Sequence, residues 1–219
     1  MSKKCLVIFC FIMLAACDGK TPPKEDIYPW QITLLADGKT RVFGIVINET
    51  SVSEAARSLG SGFKIALFEN EDHSLSLEAF IQDVTLGGLS AKVVLAIASD
   101  ESEKTQFKER AKKREPLGNG VIRYVLSLED HQLAASKVVN AISYLPYVSL
   151  SEEMILSRFG EPAKRIKVSE HKVHFLYPET GLDLLLDKEG KELLQYVEPK
   201  EFNRLLLPLE RAVTPDTQS

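Results

Sequence analysis

Alternation between apolar and polar residues is the main pattern of this chain of 219 residues. Residues 75–81 alternate aliphatic with polar or aromatic side chains, and residues 91–97 have the aliphatic residues Ala91, Val93, Leu95 and Ile97 at every second position. Successive side chains of a strand point to opposite faces, so this period of two predicts strands with one buried face. Further strands are expected at 63–68, 121–126, 164–168, 172–177, 182–186 and 192–197. Together they predict an antiparallel sheet.

A hairpin is predicted near the start of this region. Asp37 and Gly38 lie between the apolar segments 31–35 and 41–46. Both residue types tolerate a positive φ, so a type I′ turn is expected at this position.

Two similar segments each predict a short helix. Ser51 and Glu54 have the spacing of a capping box, and the helix that they begin should end at Gly60. Ser149 and Glu152 have the same spacing, followed by a helix ending at Gly160. The two predicted helices differ in length by two residues. Each is followed by predicted strands, which indicates either a duplicated unit or two units with similar caps.

Three more helices are predicted from caps and spacing. Asp100 and Glu103 cap a highly charged helix over residues 100–115. Ser127 caps a helix that continues through Tyr144, because several apolar residues follow at near-helical spacing. A last helix covers 199–207 and should be interrupted by Pro208.

The fold class that follows is α+β, with short helices packed on an antiparallel sheet in two related units. Residues 30–116 form the first unit with the charged helix, and 117–210 form the second. Residues 211–219 are a polar tail. No second long apolar run predicts a transmembrane helix.

The N-terminus has the composition of a secretory signal peptide, predicted over residues 1–16. Lys3 and Lys4 precede an apolar run, which ends in Leu14-Ala15-Ala16-Cys17. This ending resembles the lipobox of bacterial lipoproteins, which implies lipid attachment at Cys17. In enterobacterial lipoproteins, Asp at the position of Asp18 is similar to a signal for inner-membrane retention. The alternatives are a plain secretory signal in which Cys17 is incidental, or a buried N-terminal helix.

The expected location is the cell envelope, with a lipid anchor and a periplasm-facing body, at the inner rather than the outer membrane. Residues 17–29 would form the lipidated cysteine and a proline-containing tether. Cys5 and Cys10 would leave with the signal, so no disulfide is expected. Loss of Lys3 and Lys4 would change the formal net charge from −4 to −6. An acidic chain of this kind is not expected to bind nucleic acid.

The second half resembles a family of small envelope lipoproteins, the BamE or SmpA–OmlA type. The residues that carry the resemblance are Ser151-Glu152, Phe159-Gly160-Glu161-Pro162, His174-Phe175-Leu176-Tyr177, 182–186 and the turn 187–190. It implies helices packed on a small antiparallel sheet and a role in outer-membrane protein assembly. Tandem copies of such a unit are similar to β-lactamase inhibitor proteins. The fold can transfer without the assembly role.

No familiar catalytic motif is present, so neither catalytic residues nor a cofactor is predicted. His171 and His174 lie three apart in a predicted strand, on opposite faces, which disfavours a shared metal. His73 is expected in a solvated acidic turn. The acidic pairs Glu129-Asp130 and Glu152-Glu153 are explained by their positions at helix starts.

Two sets of residues could bind a surface or a partner. The charged helix is locally basic and could rest on anionic headgroups, although a solvated helix with pairs such as Glu109–Lys113 is favoured; its cations are Lys104, Lys108, Arg110, Lys112, Lys113 and Arg114. Trp30, Tyr144, Tyr147 and Tyr177 could anchor an interface, although core positions are favoured for such residues.

The sequence therefore predicts a non-catalytic envelope lipoprotein that binds a protein partner or acts as a scaffold. Its other partner is the lipid bilayer, through Cys17. Three alternatives remain. An inhibitor-like cap of an envelope enzyme would need a concave sheet with exposed aromatic residues. An unrecognised enzyme would need a deep pocket around His73 or His131, and a carrier of an apolar ligand would need an enclosed apolar cavity.

Overall fold

A ten-stranded antiparallel sheet dominates the described part of the chain. The computed structural model describes residues 27–60 and 62–213. The strands are β1 (Thr33–Leu34), β2 (Thr40–Val42), β3 (Ile45–Val46), β4 (Lys64–Glu69), β5 (Leu75–Leu86), β6 (Leu89–Ile97), β7 (Lys113–Gly118), β8 (Val121–Val125), β9 (Val139–Pro146), β10 (Lys164–Lys167), β11 (Lys172–Tyr177), β12 (Leu182–Asp187) and β13 (Leu193–Tyr196). The helices are α1 (Val52–Leu59), α2 (Glu101–Glu109), α3 (Leu128–Ser136), α4 (Glu152–Phe159) and α5 (Asn203–Val213).

The large sheet has the order β10-β11-β12-β13-β9-β6-β5-β4-β8-β7, and β1, β2 and β3 form a separate small sheet. The predicted α+β class with short helices on an antiparallel sheet is thus confirmed. Among the described helices, none is both long and apolar enough to cross a bilayer.

One face of the large sheet holds the main core. Alternate residues of its strands join a single cluster with side chains from α1, α2, α3 and α4. The small sheet adds Phe43, which stacks on Tyr144 of β9 at 5.2 Å and meets Tyr196 of β13 edge-on at 5.6 Å. The period of two in the sequence therefore separates a buried face from an outer face.

On both sides of the central pair β9–β13, the strands follow one another outward in reverse chain order. On one side lie β13, β12, β11 and β10, preceded in the chain by α4. On the other lie β9, β6, β5 and β4, preceded by α1. β9 and β13 are antiparallel, so a two-fold axis perpendicular to the sheet relates these two sets. We call them the first repeat (α1, β4, β5, β6, β9) and the second repeat (α4, β10 to β13).

The two repeat helices match residue by residue. Ser51 caps α1 with the predicted capping box, and Gly60 ends it at φ 71°. The N-cap of α4 is Ser151, which accepts from the backbone N–H of Met154. The prediction of a capping box at Ser149 is thus wrong. Both helices have eight residues between an N-cap serine and a C-cap glycine, and the caps of α4 lie 100 positions after those of α1.

The first repeat contains an insertion between β6 and β9, made of α2, β7, β8 and α3. The expected unit boundary between residues 116 and 117 falls inside β7. β8 pairs with both β7 and β4, which extends the sheet beyond the first repeat.

The predicted charged helix over 100–115 is too long. Asp100 and Glu103 form the expected capping box, but α2 ends at Glu109. Residues 113–118 pair with β8 instead, because cross-strand pairing outweighs the helix propensity of lysine and arginine. Pro116 is tolerated there because β7 is an edge strand.

The predicted helix through Tyr144 is also wrong beyond Ser136. Residues 139–146 form β9, between β6 and β13 at the centre of the sheet. Val139, Ile142 and Tyr144 are fully buried in the core. The helix is predicted from the spacing of Leu133, Val138, Ala141, Ile142 and Leu145, and a bulge at the start of β9 hides the period of two in this segment.

The N-terminal hairpin forms with different turns. Gly38 has φ 81° and Asp37 has no positive φ, so the turn is type I followed by a left-handed glycine rather than type I′. The second predicted strand is divided by a further turn at Phe43 and Gly44 (φ 55° and 74°). Pro208 lies inside α5, where it is exposed, rather than interrupting the helix.

Candidate functional site

The outer face of the first repeat is a broad surface on which no described element packs. We call it the open face; it consists of Ala66, Phe68, Glu78, Phe80, Val94, Ala96, Ser143 and Leu145. All but the buried Ala66 are partly exposed. The sheet holds these side chains on four neighbouring strands, so they form a preorganised surface.

An aromatic pair and a carboxylate lie on adjacent positions of the open face. Phe68 and Phe80 meet at 5.4 Å between ring centroids, with their planes inclined by 62°. Glu78 faces Ala66 across the β4–β5 pair, and its other sheet neighbour is Ala96 of β6. The carboxylate therefore has mainly apolar surroundings.

Glu78 makes no ion pair with a described residue. Its polar contact is with the Ser76 hydroxyl, which donates to Oε1 at 2.7 Å. Burial raises the pKa of the Glu78 carboxyl above its ordinary value, and the Ser76 hydrogen bond offsets only part of this effect. Lys64, which lies diagonal to Glu78 on β4, makes no ion pair with it, and Arg123 of β8 binds Glu115 instead. A desolvated carboxylate without a cation is costly, unless a partner supplies one.

The same face of the second repeat is covered by α5. Leu205, Leu206 and Leu209 pack against a cluster that contains Ile166 of β10 and Leu176 of β11. Beside this cluster, Nδ1 of His174 lies 2.9 Å from the carboxylate of Asp183, and both residues are buried. This pair satisfies the two polar groups within the chain, which explains how a carboxylate is tolerated in the middle of a sheet.

A groove of about 390 Å³ lies between the N-terminal arm and the second repeat. Trp30 forms part of its wall, with Tyr28 stacked on it at 4.8 Å and the guanidinium of Arg158 4.9 Å from its ring centroid. These contacts occupy the indole ring, which therefore packs structurally rather than offering a free aromatic platform.

A smaller, enclosed cavity adjoins the core. It has a volume of about 20 Å³ and is lined by Tyr144, Trp30, Leu194 and other apolar or aromatic residues. The hydroxyl of Tyr144 is buried without a partner, and burial raises its pKa to about 12. The cavity is large enough for roughly one water molecule, so it does not offer the space that an apolar ligand needs.

The histidines do not converge on one site. The side chain of His73 is 86% exposed, with Nδ1 3.4 Å from Glu69. His131 stacks on Phe63, and the exposed His171 precedes β11, away from the buried His174. Within residues 27–60 and 62–213, no three His, Cys, Asp or Glu side chains are grouped to hold a metal ion.

Most of the basic residues predicted to contact a membrane form ion pairs or hydrogen bonds within the chain. Lys108 binds Glu69 and Arg110 binds the buried Asp130, while Lys104 donates to the carbonyl of Leu75. The expected Glu109–Lys113 helical pair does not form, because Lys113 lies in β7 and pairs with Glu115. Glu129, Glu152 and Glu153 are exposed in the first turns of their helices, as expected.

The aromatic residues predicted as interface anchors are also mostly inside the fold. Tyr144 and Tyr177 are core residues, whereas Tyr147 is 41% exposed and donates to Asp83 at 2.8 Å. Cys17 and Asp18, the predicted lipid-attachment and sorting residues, lie outside the described residues. Sequence reasoning missed Glu78, although its position in an alternating strand among alanines and aromatic residues was a signal.

Comparisons with known proteins add no identification. No family model, curated protein or solved structure matches this chain.

Proposed function

We propose that this chain is a membrane-anchored lipoprotein of the bacterial cell envelope, which binds a protein partner on its open face without catalysing a reaction. The observation that carries the proposal is the open face itself. It is rigid, largely apolar and aromatic, and contains the unpaired carboxylate of Glu78. Surfaces with these properties mark interaction sites in soluble domains.

The anchor would be the lipid on Cys17. Nine residues separate Cys17 from Ile27, where the described structure begins. Fully extended, this segment could span roughly 35 Å, so the body would stay close to the bilayer. Asp18 favours the inner membrane, with the body facing the periplasm.

The internal symmetry favours one alternative function, an inhibitor-like cap of an envelope enzyme. Two related helix-plus-sheet units in tandem, with a partly exposed aromatic pair on the sheet, form an arrangement similar to that implied by the β-lactamase inhibitor resemblance. The cavity of about 20 Å³ gives less support to an apolar-ligand carrier. Likewise, the exposed His73 and the ring-stacked His131 give less support to an enzyme.

Site-specific photo-crosslinking of the full chain in cells tests the proposal. A photoreactive residue at Val94 samples the open face, and one at the exposed Gln132 of α3 is the matched control on the opposite side of the sheet. We expect one envelope protein crosslinked from position 94 and not from 132. Equal adducts from both positions, or none from position 94, would contradict the binding role.

The anchor is tested in the same cells with Cys17→Ala. Lipid labelling with palmitate should be lost, and the crosslink should weaken because the body is no longer held at the membrane. A variant that still takes up palmitate would exclude Cys17 as the attachment site. If the crosslinked protein is an enzyme whose activity falls on binding, the inhibitor alternative replaces the scaffold role.

A further inference from the structure

The two repeats differ in what covers their outer faces. α5 covers β10 and β11 of the second repeat, whereas within residues 27–60 and 62–213 no element covers the same face of the equivalent strands β4 and β5 of the first repeat. The residues on which α5 packs in the second repeat can therefore be compared with the equivalent residues of the open face, to infer what would bind there.

Strand register makes the comparison residue by residue. Ile166 faces His174 and Lys164 faces Leu176 across β10–β11. β4 and β10 are offset by 100 residues, as the helices are. The pair Ile166–His174 is therefore equivalent to Ala66–Glu78, and the pair Lys164–Leu176 is equivalent to Lys64–Phe80. Ile166 and Leu176, which contact α5, thus correspond to Ala66 and Phe80.

The equivalent positions agree in apolar character and differ in charge. Ile166 and Leu176 form the apolar surface on which α5 packs, and Ala66 and Phe80 form the equivalent apolar surface of the first repeat, here called the seat. His174 has a hydrogen-bond partner within the chain, Asp183, which faces Leu176 from β12. The residue that faces Phe80 from β6 is Val94, so Glu78 has no such counterpart.

We propose that the open face over β4 and β5 binds an amphipathic helix of a partner protein, which presents an arginine or lysine to Glu78. This inference rests on the proposed function. The helix would lie as α5 does, with apolar anchors three and four residues apart, as Leu209 is from Leu206 and Leu205. α5 has 11 residues, a length of about 16 Å, which sets the size of helix that the seat accepts.

Charge complementarity decides the choice of occupant. A cation would give the desolvated carboxylate of Glu78 the partner that no described residue supplies, next to the rings of Phe68 and Phe80, which also attract cations. An acidic helix or an anionic lipid headgroup would instead add a like charge beside Glu78.

The test is a titration of the full chain with a synthetic amphipathic helical peptide, followed by NMR of the Phe68 and Phe80 rings and the Val94 methyls. The peptide has leucines at i, i+3, i+4 and i+7 and one arginine beside them; a second peptide has citrulline in place of arginine. Citrulline keeps the shape and removes the charge. We expect saturable shifts with the arginine peptide and about tenfold or greater weakening with citrulline.

Two variants of the chain complete the design. Glu78→Gln keeps the side-chain shape and should weaken the arginine peptide by about the same factor as citrulline does. Glu115→Gln is the matched control, because Glu115 belongs to the same sheet and is already paired with Lys113 and Arg123. Equal binding of the two peptides, or equal loss in the two variants, would overturn the inference.

Occupation by a second copy of the chain has a separate signature. Shifts of the same resonances on concentrating the protein alone would mean that a second copy's α5 fills the seat, which would overturn the inference of a foreign helix. The outcome is also separable from the proposed function. A crosslink at Val94 that persists in Glu78→Gln would leave the binding role intact while the cation inference fails.

Discussion

At the scale of single residues, two strand carboxylates show how environment sets charge. Glu69 at the end of β4 accepts a hydrogen bond from the Tyr124 hydroxyl at 2.6 Å and binds Lys108 at 2.9 Å. These contacts, the Tyr124 hydrogen bond foremost, lower the pKa of Glu69 to about 2. Glu78 on β5 has no cation beside it in the described part of the chain, and burial raises its pKa instead. Glu69 is thus satisfied within the fold, whereas Glu78 is available to a partner.

The depressed pKa of Glu69 gives a prediction for acid unfolding. The ordinary value is 4.5, so the stability that ionised Glu69 contributes is present above about pH 4.5 and is lost as the pH falls towards 2. Tyr124→Phe removes the strongest contact and should destabilise the protein at pH 7. The difference from the unmodified chain should shrink between pH 4.5 and 2, measured by urea unfolding at each pH.

Tyr177→Phe is the control for that experiment. The Tyr177 hydroxyl donates to the carbonyl of Gly160 at 3.0 Å, an acceptor that does not titrate. Its loss should therefore cost the same at every pH in this range. A constant difference for Tyr124→Phe as well would show that Glu69 does not depend on the hydroxyl.

At the scale of elements, the turn between β2 and β3 combines strain with burial. Phe43 has φ 55°, in the left-handed region that disfavours residues with a side chain, yet it is 1% exposed and packs between Tyr144 and Tyr196. The left-handed conformation costs about 1–3 kcal/mol. Removing a buried phenylalanine costs about 3–5 kcal/mol, so packing outweighs strain.

Phe43→Gly should accordingly destabilise the protein by about 2 kcal/mol, although glycine suits the backbone better. Denaturant unfolding with an unchanged m-value would measure this loss. Asn119→Gly provides the contrast, since Asn119 has φ 47° but is exposed in the β7–β8 turn. That change should stay within about 0.5 kcal/mol. A Phe43→Gly protein of unchanged stability would mean that the small sheet contributes little to the core.

The elements also show what could be predicted from sequence. Ser51, Glu54 and Gly60 act within one helix, so α1 was predicted correctly. β9 was missed because its partners, β6 and β13, are distant in the chain, and a bulge hides its alternation. The character of Glu78 depends on the register of β4, β5 and β6 together, which local pattern does not give. Long-range pairing, rather than local propensity, is what the sequence left open.

At the scale of the whole molecule, the two repeats share one hydrophobic core. The main cluster runs without a break from Ile65 in β4 to Phe175 in β11. β9 and β13 hydrogen-bond at the boundary, where Leu194 faces Tyr144. Neither repeat could be removed without exposing the apolar side chains of the other, so the sheet should unfold as one cooperative unit despite its internal symmetry.

Leu194→Ala tests this cooperativity. Leu194 is 1% exposed at the boundary, and its truncation should cost about 2–5 kcal/mol. Trp30, the only tryptophan, lies 6.3 Å from Phe159 and so reports on the second repeat, while hydrogen exchange of β5 amides reports on the first. Both probes should report the same decrease in the free energy of unfolding, because a cavity in a shared core destabilises both repeats together. A loss confined to the Trp30 signal would mean that the first repeat stays folded alone, and a partner on the open face would then need only that half.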